Sequence, residues 1–564
     1  MVFPTARGIA LALMGTAAQA QYSGWDKGQV NSTMCLWKLP RVRDTVFIDG
    51  GALSWSQGME TGEYQRGTEW DPKGQVLSLS LRTSFTIPQN FTPLFQTHPK
   101  SNPSKGEISP IFSDGSLLAN DDRFLLYGGV YPFSDSYPDP PGDSVVEFQA
   151  YPAGDSGTAD FSPAFADEEL PRDVTRYLAY GAGVSAPSEN KAWYFSGLRS
   201  PSGGVIYEGY GVPEAVASNI SDTLISVTFS DKDGDEDTWR NETIQDKARG
   251  RGGAAGVFVP VGEQGILVFV GGATFPEFAY ATHKSENPAA QKSESGAFMS
   301  TVDVYDIASG KWYQQKTNSP SASPPILAQS CAVAQHAADL SSFNIYVYGG
   351  YGAVDKTSDF SDDVWILSLP SFTWVRGLSG TSDHARAGHK CVTPYPDQMM
   401  VVGGWIPTVG KDCLLGGVIQ MLNLTSVEWM DGYDPEKYGE YGVPEVVVAE
   451  IGGDASGGAT AKSPSGGWDD DGLEGVFGKA YATEKIKNWY PYQAAESTER
   501  PNVDDEKNRG GGGGGLPDWV PPTLGCVLGL IVVVVCGVGI FFWRRRKALR
   551  RASMIRDSVQ SGLK

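Results

Sequence analysis

The sequence predicts an all-β fold, a β-propeller of six blades, followed by a single transmembrane helix near the C-terminus. Three observations predict it. A short apolar strand that ends in a Gly-Gly pair recurs along the chain. The composition, with 69 Gly, 36 Pro and 15 Trp in 564 residues, favours many turns and short strands over helices. The stretch Leu524–Trp543 then holds 20 residues without one charge.

The repeat is clearest at Asn344–Trp374. An apolar strand at Ile345–Tyr348 ends in two glycines, and a polar loop leads to a second strand at Val364–Leu369 and then to a tryptophan. Six copies of this order are found. The glycine pairs are Gly50-Gly51, Gly128-Gly129, Gly271-Gly272, Gly349-Gly350 and Gly403-Gly404, and the third copy has Ser196-Gly197 instead. The tryptophans of the last three copies are Trp312, Trp374 and Trp429.

Each copy reads as part of a sheet that is covered on both faces. Its strands alternate β-branched and aromatic residues, and the glycine pair supplies backbone freedom, including positive φ, at the strand end. A lone sheet of this kind cannot bury both faces, so the copies must stack, and a closed ring leaves no open end. A seventh, weak copy within Tyr131–Val184 is an alternative. The ring is closed either by the apolar run Tyr441–Gly453 or by the N-terminal stretch Gln29–Trp37.

The pattern resembles kelch repeats. Six residues lie between Tyr305 and Trp312, as in those repeats, and Arg386-Ala-Gly-His389 is similar to the Arg-x-Gly-His that opens many of them. The chain looks like the fungal cell-surface kelch proteins that are related to the central propeller of galactose oxidase. The resemblance covers about residues 30–451. It implies a kelch-type propeller behind a signal peptide and before a Gly-rich linker, one membrane span and a basic tail.

Both ends of the chain read as targeting segments. Residues 1–20 have a basic residue, an apolar run and an Ala-x-Ala pattern, which predicts a secretory signal peptide. The propeller is assigned to 21–453 and a flexible Gly/Ser/Pro-rich stalk to 454–523. The transmembrane helix is assigned to 524–543, because 20 residues at 1.5 Å per residue span a bilayer of ~30 Å. The basic tail, 544–564, is expected in the cytoplasm, which makes the protein a single-pass type I protein of the plasma membrane.

An extracellular location predicts modifications at several other residues. Five sequons predict N-glycosylation, at Asn31, Asn90, Asn219, Asn241 and Asn423. Of the six cysteines, Cys35, Cys331, Cys391 and Cys413 face an oxidising compartment, and we expect a disulfide between Cys391 and Cys413 because they are closest in sequence. In the tail, Ser553 follows two arginines and is a candidate phosphorylation site.

No catalytic constellation is found in the sequence. A copper oxidase on this fold needs clustered His and Tyr ligands, and of five histidines only His384 and His389 are neighbours in sequence. The acidic run Asp231–Asp237, with Glu242 at the twelfth position, resembles an EF-hand loop, but its sixth position is not Gly. A solvated acidic turn is the favoured interpretation and bound calcium the alternative. We therefore predict no catalytic residue, no metal and no cofactor.

The sequence thus predicts a non-catalytic glycoprotein of the cell surface that binds an extracellular or wall protein or a glycan. The formal net charge of −21 argues against nucleic acid as the partner, since phosphate would be repelled. The alternative is a secretory-pathway enzyme, similar to galactose oxidase or acting on carbohydrates or in biosynthetic tailoring, with its site at the propeller centre. Fold alone does not decide between the two.

Overall fold

The structure is a computed structural model that describes residues 30–35 and 39–493, apart from gaps at 61–63, 71–73, 88–91, 103–106, 109–111, 132–138, 154–160, 208–212, 233–234, 245–247, 280–284, 355–358, 382–383 and 407–416. The predicted signal peptide, transmembrane helix and tail lie outside the described residues, and so do Asn90, Cys413 and Ser553. Within the described part of the chain, no helix is both long and apolar enough to cross a membrane.

The first ten strands build blade 1 and its extensions. They are β1 (Val30–Cys35), β2 (Arg41–Val42), β3 (Thr45–Asp49), β4 (Ala52–Gly58), β5 (Tyr64–Trp70), β6 (Gln75–Ser80), β7 (Phe85–Thr86), β8 (Phe95–Pro99), β9 (Ser101–Asn102) and β10 (Glu107–Ile108). Blade 1 is the antiparallel sheet β2-β3-β6-β8. Strand β4 pairs with both β1 and β5 in a separate sheet, and β9 pairs with β10.

Blades 2 to 4 follow the same plan, four antiparallel strands in chain order. Blade 2 consists of β11 (Ser116–Ala119), β12 (Arg123–Tyr127), β13 (Ser144–Gln149) and β14 (Ala164–Glu169). Blade 3 consists of β15 (Ala182–Ala186), β16 (Lys191–Phe195), β19 (Thr223–Thr228) and β20 (Thr238–Thr243), with the pair β17 (Leu198–Arg199) and β18 (Asn219–Ile220) inserted. Blade 4 consists of β21 (Ala255–Val259), β22 (Ile266–Val270), β23 (Thr301–Asp306) and β24 (Lys311–Lys316), with helix α1 (Pro288–Ser300) before β23.

The last two blades complete the set. Blade 5 consists of β25 (Cys331–His336), β26 (Phe343–Tyr348), β27 (Val364–Leu369) and β28 (Thr373–Leu378). Blade 6 consists of β29 (Lys390–Val392), β30 (Gln398–Val402), β31 (Ile419–Asn423) and β32 (Glu428–Met430). Strand β33 (Gly432–Tyr433) and helices α2 (Glu445–Ile451) and α3 (Asp471–Phe477) follow. The fold is therefore all-β with six blades, and the two strands recognised in each repeat are the second and third strands of a blade.

The alternative of a seventh blade is not supported by the strands of that region. The described residues of Tyr131–Val184 form β13 and β14 of blade 2 and the first part of β15 of blade 3. Each of these strands already belongs to one of the six sheets. The region thus contains strands of blades 2 and 3 and the connection between them.

The core is a series of apolar layers between neighbouring blades. Blades 4 and 5, for example, share a layer that holds Val268 and Trp374, both fully or almost fully buried. The indole of Trp374 also donates a hydrogen bond to the Met299 carbonyl at 2.8 Å, across the blade boundary. Tyr305 and Trp312 face each other across β23 and β24, with ring centroids 5.0 Å apart. The aromatic positions of the repeat are thus the plates that fill the space between sheets.

The glycine pairs lie where one blade touches the next. The second glycine donates its amide hydrogen to the following blade, as Gly272 does to the Leu327 carbonyl at 2.7 Å and Gly350 to the Arg386 carbonyl at 2.8 Å. Gly271 has φ +65°, and a Cβ there would meet the Leu327 carbonyl oxygen at 2.3 Å. Contact this close, with positive φ, requires glycine.

Neither predicted segment supplies a closing strand. The run Tyr441–Gly453 contains helix α2, and the described part of the N-terminal stretch is β1, which pairs with β4 outside blade 1. Blades 6 and 1 instead close the ring by packing: Met400 and Met421 of blade 6 share an apolar layer with Ile48 of blade 1. Strand β33 pairs with β7 beside this layer. Since each blade has four strands of its own, no strand has to be exchanged.

Candidate binding face

The connectivity of the blades gives the ring two different faces. In an antiparallel blade, the first and third connections lie at one end and the second connection at the other. We call the first the turn face, since it carries short turns such as residues 370–372 between β27 and β28. We call the opposite the loop face. It carries the glycine pairs, long connections such as residues 271–300 and the segments that lead from one blade to the next.

A C-terminal segment crosses the turn face. We call residues 441–492 the strap. It begins beside blades 5 and 6, where the hydroxyls of Tyr441 and Tyr346 lie 2.8 Å apart. It continues along blade 5, where the amide of Gly458 donates to the Asp339 carboxylate at 2.7 Å. At blade 4 the direction of donation is reversed, and the amide of Gly262, in the turn between β21 and β22, donates to a strap carbonyl, that of Lys479, at 3.1 Å.

The strap then contacts blades 3, 2 and 1. Tyr481 donates to the Glu189 carboxylate of blade 3 at 2.6 Å, and the Trp489 indole donates to Asp121 of blade 2 at 2.9 Å. Arg41 of blade 1 donates to the Tyr492 hydroxyl at 3.0 Å. The Tyr492 hydroxyl also donates to the Pro394 carbonyl of blade 6 at 2.9 Å. Every blade therefore contributes a contact to the strap.

Apolar anchors hold the strap between these polar contacts. Val447 and Ile451 of α2 pack on the layer between blades 5 and 6, and Leu473 and Val476 of α3 pack on the layer between blades 4 and 5. All four are at most 6% exposed. The prediction that a flexible stalk begins at residue 454 is wrong for residues 454–492. Their Gly, Ser and Asp content suggested a chain without a core, but an extended segment needs only a few anchors when a preformed surface supplies the rest.

The loop face, by contrast, carries a row of aromatic side chains. We call Tyr180, Phe278, Tyr351, Phe360 and Trp405 the aromatic belt. Their ring centroids follow one another at 5.0 Å (Tyr180 to Phe278), 6.4 Å (Phe278 to Tyr351), 4.5 Å (Tyr351 to Phe360) and 4.7 Å (Phe360 to Trp405). Tyr351 is buried and the other four are partly exposed. The belt runs over blades 3 to 6 on the face that the strap leaves uncovered.

Acidic and amide groups border the belt. Tyr351 donates to the Glu277 carboxylate at 2.7 Å, and the Trp405 indole donates to the Gln329 side chain at 3.1 Å. Burial raises the pKa of Tyr351, and the neighbouring Glu277 carboxylate raises it further, so the phenol stays a hydrogen-bond donor. Beside the belt, Phe275 is 37% exposed. Aromatic plates edged by carboxylate and amide groups suit the apolar face and the hydroxyls of a sugar, and also an amphipathic protein surface.

The inner strands of the six blades surround a small central cavity of about 100 Å³. Small side chains dominate its wall: Ser116, Ala182, Gly183, Ala254, Ala255, Gly256, Ser330 and Ala332. Lys390 and the Cys331 and Cys391 sulfurs complete one side. A cavity of this size admits a few waters, and of the described residues that line it, Lys390 carries the ionisable group.

The two cysteines at this wall form a disulfide, Cys331–Cys391, with their Cα atoms 5.6 Å apart. The prediction of a Cys391–Cys413 disulfide is therefore wrong. Cys331 begins β25 and Cys391 lies in β29, the innermost strands of blades 5 and 6, and these strands are neighbours in the ring. Sequence proximity was the wrong guide, because equivalent positions in adjacent blades are close in space although 60 residues separate them.

The histidines are not brought together. His98 pairs with the Ser78 hydroxyl at 2.8 Å in blade 1, and His336 contacts its neighbouring carbonyl in blade 5. His384 stacks on Trp429, and His389 is buried and donates through Nε2 to the Tyr348 carbonyl at 3.0 Å. His283 lies outside the described residues. Burial lowers the pKa of His389, and the nearby Arg386 guanidinium lowers it further, so it serves as a neutral packing residue.

The sequons occupy different parts of the molecule. Asn219 is exposed in β18, and Asn241 is exposed in β20, where its amide donates to the Asp173 carbonyl at 2.5 Å. Asn423 is half-buried at the end of β31, and its Oδ1 accepts from the amides of Thr425 and Ser426, both at 2.9 Å. That arrangement stabilises the turn into β32. Asn31 lies in β1, away from these. The described sequons therefore do not mark one face, and their glycosylation stays a prediction.

The loop Asp231–Glu242 does not form an EF-hand. Its first part is the turn between β19 and β20, where the Asp231 carboxylate accepts from the Asn190 amide at 2.7 Å. Its twelfth residue, Glu242, lies in β20 and accepts from Tyr305 of blade 4 at 2.9 Å. Among the described residues of the loop, the first position therefore bonds within blade 3 and the twelfth bonds to blade 4, which is not the arrangement of an EF-hand.

Comparison with known proteins gives one informative relative. The chain is 28% identical over 473 residues to a kelch repeat-containing protein of Arthroderma benhamiae, in an alignment that covers 75% of this chain and 63% of that protein. This chain is a relative of a kelch repeat-containing protein. Each of its six blades has a Gly-Gly or Ser-Gly step after the second strand. The chain spans under two thirds of the relative's length.

Two further comparisons complete the picture. No family model matches the chain. A search of solved structures finds similarity to the structure of YjhT, with a TM-score of 0.40 and 12% identity, covering 73% of this chain and 99% of that one.

Proposed function

We propose that this kelch-repeat propeller is a non-catalytic binding scaffold whose loop face engages a protein or glycan partner. The difference between the two faces carries the proposal. The strap occupies the turn face at every blade, whereas the loop face presents the aromatic belt and the longest connections. Loops on a rigid scaffold are the usual place for recognition, because they vary without disturbing the core.

We further propose the setting that the sequence indicates: a single-pass type I glycoprotein of the cell surface, with residues 524–543 in the membrane. The propeller would then lie outside the cell, where its loop face can contact wall or partner molecules. Support comes from the charge-free run with its basic flank and from the N-terminal signal pattern. Labelling of intact cells against an N-terminal epitope tests it. Detection only after permeabilisation would contradict the topology.

The enzyme alternative places a site at the propeller centre. The central cavity is small and its wall consists mostly of Ala, Gly and Ser, so the structure supplies no observation in favour of that alternative. We therefore carry the binding scaffold forward as the proposed function.

The test is a pair of substitutions on the aromatic belt. Phe360→Ala with Trp405→Ala removes two partly exposed rings that contact each other. We expect binding to an array of wall glycans, or to a cross-linked surface protein, to weaken at least tenfold, because aromatic residues carry most of the energy at such surfaces. The control is Phe477→Ala, which removes an aromatic ring from the strap on the opposite face.

Binding that survives the loop-face pair but is lost with the strap variant would place recognition on the turn face and overturn the proposal. Both variants are first compared by thermal unfolding, so that loss of binding is counted only for folded protein. The glycan array and the cross-linking arm decide between the two classes of partner.

A further inference from the structure

Three carboxylates converge between blades 2 and 3, away from the aromatic belt. Glu147 lies in β13, Glu168 in β14 and Asp237 in the turn that enters β20. Each offers an oxygen within 4.8 Å of an oxygen from the other two. An open pocket of about 700 Å³ adjoins them.

Two of these carboxylates are each anchored through one oxygen only. The Trp239 indole donates to Oε1 of Glu168 at 2.7 Å, and the Ser230 amide donates to Oδ1 of Asp237 at 2.7 Å. The other oxygens, Oε2 of Glu168 and Oδ2 of Asp237, are buried and accept no hydrogen bond. The side chain of Asp237 is only 1% exposed. Such an oxygen, withdrawn from water and left without a donor, is costly in a folded protein unless a ligand meets it.

The charge of the cluster fits a divalent cation. Arg123 is the neighbouring base, 3.3 Å from Glu147 through Nη1 and bonded to Asp237 through Nη2. Three ionised carboxylates and one guanidinium leave a net charge of −2. Further carboxylates at the rim, Asp167, Glu169, Asp235 and Glu236, add negative potential around it.

We propose that Glu147, Glu168 and Asp237 form a binding site for one hard divalent cation of the calcium class. The donors are all carboxylate oxygens, which hard cations prefer, and the open pocket lets water complete the coordination shell. A cation at this point would compensate the two unsatisfied oxygens and join the outer edges of blades 2 and 3.

The site differs from the EF-hand that the sequence suggested. It takes one residue, Asp237, from the acidic loop and two from strands about 70 and 90 residues earlier, and it uses neither Asp231 nor Glu242. The loop thus contributes to a cation site only through a side chain that packs against the preceding blade.

The experiment is calorimetric titration of Ca²⁺ into the chelator-treated full-length chain in detergent, repeated for three variants. Glu168→Gln keeps the oxygen that accepts from Trp239 but removes the charge, and Asp237→Asn does the same beside Ser230. The matched control is Glu428→Gln, an exposed glutamate in the outermost strand of blade 6, which does not line this pocket. We expect one Ca²⁺ per chain in the wild type and the control, and a loss of affinity of at least tenfold in both variants.

Thermal unfolding keeps the proposal testable if Asp237→Asn folds poorly. Added CaCl₂ should raise the unfolding midpoint of the wild type and of Glu428→Gln above that in NaCl of equal ionic strength, and should not raise that of Glu168→Gln. Absence of calcium binding by the wild type would overturn the proposal and leave a proton shared by Glu168 and Asp237 as the occupant. Binding that Glu168→Gln does not weaken would equally overturn it.

Discussion

The turn face and the loop face are built from the same six blades, yet they are used in opposite ways. On the turn face the strap contacts every blade and buries apolar anchors against the layers between them. On the loop face the aromatic belt remains partly exposed, and blades 5 and 6 are tied instead by the disulfide Cys331–Cys391, at the start of their inner strands. The comparison teaches that blade-to-blade ties on the loop face are local, made by the glycine pairs and one disulfide, whereas on the turn face one continuous segment links the blades.

The largest expected effect is loss of the strap. A chain that ends after Glu440 loses eight buried apolar or aromatic side chains larger than alanine: Tyr441, Val443, Val447, Ile451, Leu473, Val476, Tyr481 and Tyr492. At about 1.5–3 kcal/mol for each buried side chain, their sum exceeds about 10 kcal/mol, which is comparable to the whole stability of a typical domain. We expect this chain not to fold.

The control is a chain that ends after Ala495, which keeps the strap and removes only the residues beyond it. It should unfold cooperatively in urea, followed by tryptophan fluorescence. Equal stability of the two chains would show that the strap is not structural and would remove the difference between the faces.

A single anchor tests the same difference more finely. Leu473 is fully buried where α3 packs on blades 4 and 5. Leu473→Ala should lower the free energy of unfolding by about 2–5 kcal/mol, because a buried leucine leaves a cavity. Phe275→Ala on the loop face should change it by less than about 0.5 kcal/mol, since that ring is partly in water. Chemical denaturation measures both, and a larger effect at Phe275 would reverse the comparison.

Loss of the disulfide should lower the free energy of unfolding less than loss of the strap does, but more than loss of a surface contact. Replacing Cys331 and Cys391 together by Ala should cost about 2–4 kcal/mol, because the bridge restricts a long loop of the unfolded chain. Urea unfolding of the double variant measures the loss. Peptide mapping without reduction provides the independent check, and a peptide that joins Cys391 to Cys413 would contradict the assignment.

The smallest expected effect concerns pH. The pKa of His389 is lowered by burial, by Arg386 and by Lys390, so the unfolded state binds the proton first. Its contribution to stability is complete above about pH 6.5 and decreases as the pH falls toward the folded-state pKa, by up to about 1.4 kcal/mol per pH unit. His389→Gln should flatten this part of the profile. An unchanged slope between pH 7 and pH 5, measured as the urea midpoint, would assign the acid sensitivity to another group.

Much of the ring could be predicted from the sequence because its signals are local. A strand such as Ile345–Tyr348 is apolar on both faces, and the glycines that follow it have positive φ. The residues of each repeat therefore predict, without reference to the rest of the chain, that its strands are buried on both faces. The number of blades followed from counting such strands. The inner and outer strands were harder to see, since their packing is looser and a strand such as Lys390–Val392 has only three residues.

The strap and the disulfide could not be predicted in the same way. The strap has the composition of a linker, with anchors such as Leu473 and Tyr481 about ten residues apart. No local sequence pattern indicates that the blades form a surface on which these anchors can pack. The disulfide partner depends on which strands become neighbours in the ring. The acidic cluster is a similar case, because its three carboxylates come from two blades.

By itself, the sequence determined the repeating unit, the number of units and the need for a closed ring, because alternation of apolar residues and paired glycines acts over a few residues. The tertiary structure decided which face stays open, which cysteines pair and which carboxylates meet. Those outcomes depend on contacts between residues far apart in the chain, and such contacts exist only once the blades have stacked. The stretch Asn344–Trp374 thus determines its own blade, while the partner surfaces around it are set by the whole ring.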